Sequence, residues 1–271
     1  HLPLKAINHF QFSFRNHATI KWLEQVNSSL NNFSALAKPP TNIQQIITKF
    51  PEQSENITKD INELQHLVSQ LKFPDNQFSA SNNQQDLVYR FEFGQVPELI
   101  QIPCHSLLKQ FEKLFISLQT ITTVLKDTVD GEITGLKSEV AEQWLSVIAP
   151  MQNRAESAMN LFFAYTHEDK PGEPPSARWL KKNDDHDVQD IELSCSPILA
   201  ANTLEHILWS QCYGSVVTSA TIAALGDFNR FILNSGVPGF FNILPSPFNY
   251  TENVDFIVPE MRSDATKYRD H

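Results

Sequence analysis

Two apolar stripes at helical spacing constrain this chain more than any other feature in it. Leu107, Phe111, Leu114, Leu118, Ile121 and Leu125 recur at steps of four and three, a period that places them on one face of a helix. Val140, Trp144, Val147, Met151, Ala155, Ala158 and Phe162 repeat the pattern over the following stretch. Asp130-Gly131 closes the first helix, because glycine accepts the left-handed backbone at a helix end. The link between the stripes is short, so two long antiparallel helices sharing a core are expected, with Leu118 facing inward. Pro150 falls inside the second stripe. Lacking a backbone N–H, it is expected to kink or split that helix.

The flanking sequence extends the helical theme. Phe10, Phe12 and Phe14 alternate with polar residues, the period of a half-buried strand. Asn16 reads as the N-cap of a helix carrying Ile20, Leu23, Val26 and Leu30, which Pro39-Pro40 ends. A helical block follows Thr41, with Ile43, Ile46, Ile47 and Phe50. Pro51 is expected to start another, striped by Ile57, Ile61, Leu64, Val68 and Leu71. Residues 74–86 are polar and loop-like, and LVYRFEF at 87–93 reads as a strand ending at Gly94. DKPGEPPSA at 169–177 has the composition of a linker. Beyond it, ARWLKK and IELSCSPI flank the polar turn NDDHD as a hairpin. Residues 201–211 read as a helix, 215–218 as a strand and 226 onward as a helix, followed by the apolar runs FFNIL and DFIVP. The fold class expected is mainly α: a helical domain over 16–175, joined to a shorter α/β segment that alternates strand and helix.

The chain's 271 residues allow one large or two ordinary domains. Its net charge of −10 excludes a dedicated nucleic-acid-coating domain, so any nucleic-acid contact has to be local. No apolar run is long enough for a membrane helix, and no basic-then-apolar leader pattern opens the sequence. Cys104, Cys195 and Cys212 are far apart and outside any C-x-x-C spacing. That argues against a disulfide framework, zinc site or iron–sulfur cluster built from this chain, and fits a reducing cytoplasm. The first residue is His1 and the last, His271, stands in a polar run. Neither resembles a natural terminus, so a fragment of a longer protein is expected.

Four patterns could carry chemistry. Asp184, Asp185, His186 and Asp187 hold metal-ligand chemistry in the hairpin turn, although adjacent acids in a turn are usually solvated turn formers. Ser106 and Lys109 form S-x-x-K without the companion motifs of serine acyl-enzymes. His9, Phe10, Phe12, Phe14, Arg15 and His17 interleave aromatic and basic groups, as base stacking would need; an ordinary core strand needs the same pattern and is the favoured reading. The fourth is GSVVTSATIAALGDFNRFI at 214–232, where Thr218, Ser219, Ala220 and Thr221 follow an apolar run. Neither G-x-x-x-x-G-K-[ST] nor G-x-G-x-x-G occurs, so no nucleotide-binding residue is assigned and the isolated chain is not expected to hydrolyse ATP.

The fourth pattern resembles a family. VVTSAT at 216–221 is similar to the third motif of superfamily 2 helicases, Ser/Thr-Ala-Thr at the end of a motor-domain strand. With its flank through Pro238, and with LPSPFNY at 244–250 and FIVPEMR at 256–262, it resembles the DinG subgroup of XPD-like DNA helicases. YRFEFGQVP at 89–97 is similar to the middle of that family, and HLP at 1–3 to the residues after its DEAH box. The resemblance spans the chain, weakly in the helical middle and strongly after residue 213. It implies a motor segment over 1–15, a helical arch-like domain over 16–175, the end of a RecA-like first motor domain over 176–253, and the start of the second over 254–271. It also implies a bacterial, cytoplasmic, ATP-dependent 5′-to-3′ helicase acting on single-stranded or forked DNA, in repair or in resolving replication conflicts. Its ATP, Mg and 4Fe–4S cluster would be held by residues outside this chain. Ser219 and Thr221, with Thr218 as a weaker candidate, would couple ATP hydrolysis to unwinding. The alternative expectation is a stand-alone helical protein-interaction domain without catalytic activity.

Overall fold

The computed structural model describes residues 7, 10–72, 87–131, 136–169, 172, 176–185, 188–219, 221–223, 226–237, 239–245, 247, 249–255 and 257. Strand β1, Phe12–Arg15, runs straight into helix α1, Asn16–Ala37. That junction corrects one expectation: Arg15, still extended at φ −106°, takes the cap position, so Asn16 is the first helical residue and does not cap. Its side-chain amide is instead fully buried, with neither polar atom hydrogen-bonded.

Helix α2 spans Thr41–Ser69 without the expected break at Pro51. Helix α3 spans Glu98–Val129 and includes Pro103, and helix α4 spans Ser138–Thr166, unsplit at Pro150. An interior proline costs a helix about 3 kcal/mol. Here the apolar stripes on either side are already docked: Ile47, Phe50, Ile57 and Ile61 flank Pro51, and Ile148 and Ala155 flank Pro150, all buried. Burying one such side chain contributes about 1.5–3 kcal/mol, so the stripe as a whole outweighs the proline.

Strand β2, Leu87–Arg90, ends earlier than the alternation predicts, and a 3₁₀ turn follows at Glu92–Gly94. Strands β3, Ala177–Asp185, and β4, Val188–Ser196, form the expected hairpin. Its place is not the expected one. The sheet order is β1-β4-β3-β2, antiparallel throughout, so the hairpin is central and pairs with β1, which precedes α1, and with β2, which lies between α2 and α3. Phe12 lies opposite Cys195 and Tyr89 opposite Leu180. Leu180 and Leu193 are wholly buried, so the hairpin contributes directly to the core. Phe14 meets Phe162 edge-on at 4.8 Å and Phe111 at 5.6 Å, while Phe111 and Phe162 stack at 5.7 Å. Sheet and helices therefore share one core.

A smaller cluster follows. Ala200 and Leu204, with Ile7, Phe10, Leu208 and Trp209, pack around helix α5, Ala201–Ile207. Helix α6, Asn229–Ser235, docks there: the Trp209 indole N–H donates to the Ser235 carbonyl at 2.6 Å. Gly236 closes α6 at φ +62°, and a Cβ on it would sit 2.7 Å from the Ala201 carbonyl oxygen. Gly236→Ala should therefore loosen α6 from α5 by about 1–3 kcal/mol. Hydrogen exchange of the α6 amides reads this directly, and unchanged protection would overturn it. Helix α7 is the short turn Tyr250–Asn253.

The strand expected at 215–218 does not form, and no strand forms among the described residues after Ser196. Val216 is 90% exposed and Tyr213 and Phe240 fully so. A strand exists only where a neighbour completes its hydrogen bonds, and none of the described strands pairs with this stretch.

Candidate functional site

The Thr-Ser-Ala-Thr stretch lies on the loop between α5 and α6, and Thr218, Ser219 and Thr221 are all exposed. Ser219 Oγ accepts the N–H of Thr221 at 3.2 Å and lies 3.2 Å from Thr221 Oγ1. A hydroxyl bonded to the backbone N–H two residues on is a tight local turn. It sets both hydroxyls side by side at the surface, where either can donate or accept. The structure thus brings Ser219 and Thr221 together; Thr218 lines the adjoining hollow without joining their hydrogen bond.

That hollow, about 380 Å³, is bordered by Ser219, Phe228, Phe231 and Phe241. Phe228 and Phe241 rings are tilted against each other at 5.1 Å. Asp227 shapes the entry to α6 by accepting the Asn229 N–H at 2.9 Å and its side-chain N–H at 2.8 Å. A row of hydroxyls thus borders an open apolar floor.

A second polar arrangement, where α4 meets the sheet, has no counterpart among the sequence motifs. Arg178, on β3, is 5% exposed. Its guanidinium forms a bidentate pair with Asp169 at 2.8 Å twice, and donates to the Gly94 carbonyl at 2.9 Å and the Ala164 carbonyl at 2.5 Å. Beside it, the buried Tyr165 hydroxyl lies 2.8 Å from the Trp179 carbonyl and 2.9 Å from that of Ser194, and accepts the Ser194 N–H at 3.2 Å. Burial raises the Tyr165 pKa well above its ordinary value. Partial burial alone would raise the Asp169 carboxyl, but the hydrogen bonds and charge of Arg178 outweigh it and hold the pKa below the usual carboxylate range. The only signal for it along the chain is a basic residue beside Trp179 in an otherwise apolar strand start.

The other candidates resolve into packing. Ser106 Oγ donates to Asp60 Oδ2 at 2.7 Å, joining α3 to α2 rather than meeting Lys109. Phe14 is core, Arg15 pairs with Glu192 at 3.5 Å and Asp190 at 3.9 Å, and the His17 N–H donates to Asp190. His9 lies outside the described residues, as do His186 and Asp187 of the NDDHD turn. Among the described residues no group of three or more His, Cys, Asp or Glu side chains could hold a metal. Burial raises the Cys104 thiol strongly and the Cys195 thiol to about 11, while Cys212 is exposed. Neutral buried thiols make poor metal ligands, so Cys104 and Cys195 do not fit an iron–sulfur cluster. Among the described residues no helix is long and apolar enough to cross a membrane.

No family model matches the chain. Its relatives are informative. Over 279 aligned residues, covering all of this chain, it is 27% identical to a protein of Photobacterium profundum named ATP-dependent DNA helicase DinG. Proteins of the same name from Escherichia coli (strain K12) and Salmonella typhimurium are 26% and 27% identical over 78% and 67% of the chain. The chain spans 38% of the Photobacterium relative's length, 29% of the Escherichia one's and 25% of the Salmonella one's. It is thus homologous to a part of these DinG helicases.

Proposed function

We propose that this chain is a segment of an ATP-dependent DNA helicase of the DinG type. The observation that carries the reading is the match of the whole chain to part of a protein so named, joined to a hydroxyl turn displayed on an otherwise apolar, uncovered stretch. In this reading residues 16–175 form an arch beside the passage of single-stranded or forked DNA. β1 and the 176–196 hairpin go with that arch, because they complete its sheet and share its core; residues 197–253 belong to the end of the RecA-like first motor domain, and 1–11 and 254–271 to adjoining motor segments. The exposed side chains of Val216, Phe240 and Leu244 are then the face on which the rest of that motor packs. A stand-alone helical interaction module accounts for the bundle but not for these side chains.

The longer protein would be a 5′-to-3′ helicase of the bacterial cytoplasm, serving repair or replication conflicts. This chain holds no phosphate-cradling glycine loop, so ATP and Mg, like the 4Fe–4S cluster, would be held elsewhere in it. What this chain contributes is the turn. Ser219 and Thr221 present two rotatable hydroxyls 3.2 Å apart, each able to exchange its partner for a carboxylate or imidazole across the motor cleft. A hydrogen bond present in one nucleotide state and absent in the next is a means of passing that state onward.

The test is Ser219→Ala with Thr221→Ala in the longer protein. DNA-stimulated ATP hydrolysis should persist, while base pairs opened per ATP fall about tenfold, equivalent to about 1.4 kcal/mol of coupling. If the two hydroxyls only hold the local turn, both activities decline together and the ratio stays at the wild-type value.

A further inference from the structure

We infer that the surface around Phe93, Phe163 and His167 is a docking site for a cationic segment of a protein partner. Phe93 is 76% exposed and sits at φ +50°, a left-handed conformation sterically disfavoured for a bulky side chain. Its surroundings enforce that conformation. The next residue, Gly94, also has a positive φ, a Cβ there would clash with the Ser176 carbonyl oxygen, and Arg178 holds the Gly94 carbonyl. Strain kept in place to display an exposed aromatic ring points to a use for the ring.

The same guanidinium holds the Ala164 carbonyl, so the backbones beside Phe93 and Phe163 lie within the span of one side chain. Phe163 is 51% exposed and stacks on His167 with ring centroids 3.8 Å apart and planes 18° from parallel. The His167 ring is pinned by hydrogen-bond contacts of Nδ1 with the Phe163 carbonyl at 3.0 Å and Thr166 Oγ1 at 3.1 Å. The two rings are thus already stacked in the free chain, which reduces the cost of binding.

Charge decides the occupant. Glu92 adjoins Phe93, Glu168 adjoins His167, and Glu98 opens α3 next to the same turn; all three are exposed. None has an ion-pair partner among the described residues. Aromatic faces framed by carboxylates attract guanidinium and ammonium groups, through the ring quadrupole and direct pairing. The same carboxylates repel a phosphate backbone. The partner that fits is a protein segment bearing Arg or Lys interspersed with apolar residues.

The probe is a fluorescein-labelled (Leu-Arg)6 peptide, titrated against the 271-residue chain at physiological ionic strength. Phe93→Ala, His167→Ala and Glu98→Lys should each weaken binding at least tenfold, measured well below the thermal midpoint of each variant, where all are folded. Glu139→Lys is the control. It lies at the opposite end of α4, roughly 36 Å from Phe163 at 1.5 Å per residue, and should change affinity less than twofold. Three outcomes overturn the proposal: patch variants that bind like wild type, a Glu139→Lys loss as large as that of Glu98→Lys, or tighter binding of fluorescein-labelled dT12 that Phe93→Ala abolishes. The last would make the stack a nucleic-acid platform.

Discussion

Arg178→Ala is expected to cost about 3–5 kcal/mol of folding stability, the range for removing one partner of a buried ion pair. The loss is more than one contact. Asp169 would keep a charge with no counterion, and the carbonyls of Gly94 and Ala164 would lose their donor. Three elements therefore loosen together: the 3₁₀ turn at Glu92–Gly94, the end of α4 and the start of β3. Lysine should not rescue, because one ammonium cannot reproduce the fork that meets both Asp169 oxygens and two carbonyls. Urea unfolding of wild type, Arg178→Ala and Arg178→Lys measures the effect, and a loss below about 1 kcal/mol would mean that the pair is solvent-screened. The same pair sets an acid limb. The Asp169 pKa is depressed in the folded state, so its contribution is complete above the unfolded carboxyl pKa of about 3.9. That contribution disappears as pH falls through the lower folded value. Asp169→Asn should be less stable near neutrality, and its stability should fall less steeply below about pH 4.

Leu118→Ala should cost about 2–5 kcal/mol, the range for truncating a fully buried leucine. Leu118 is 1% exposed, in the middle of α3, with wholly buried Leu114 and Ile121 one turn to either side. Ile116, only two positions away, is 58% exposed, so Ile116→Ala makes an internal control of about 0.5 kcal/mol or less. Equal losses at the two positions would put the wrong face of α3 inward.

Helices with a long stripe were legible because a face that repeats every three to four residues has to be covered somewhere, whatever covers it. Leu107 to Leu125 therefore pointed to α3 before any contact was known. Proline was misleading for the same reason in reverse. Pro51 and Pro150 obstruct a helix in isolation, yet neither ends one here, because buried residues on both sides hold the stripe together. Asn16 was a cap by composition and became the first helical residue because β1 runs into α1 without a turn.

The candidate site divides along the same line. Thr218, Ser219 and Thr221 are candidates by their order along the chain, and the contact that joins Ser219 to Thr221 is local. The Arg178 clasp was invisible. Its partners Gly94, Ala164 and Asp169 stand up to 84 positions from it, and nothing in their spacing says that they meet.

By itself the sequence determined what short-range physics can fix: where the long apolar helices lie, which face of α3 is buried, and that the 177–196 stretch is a hairpin. The tertiary structure alone decided how distant segments pair. It placed the β3–β4 hairpin between β1 and β2, gathered a guanidinium, a carboxylate and two carbonyls at one point, and left 215–218 unpaired. The reason is that a helix closes its hydrogen bonds within a few residues, whereas a strand and a buried charge are stable only when a distant part of the chain supplies the other half.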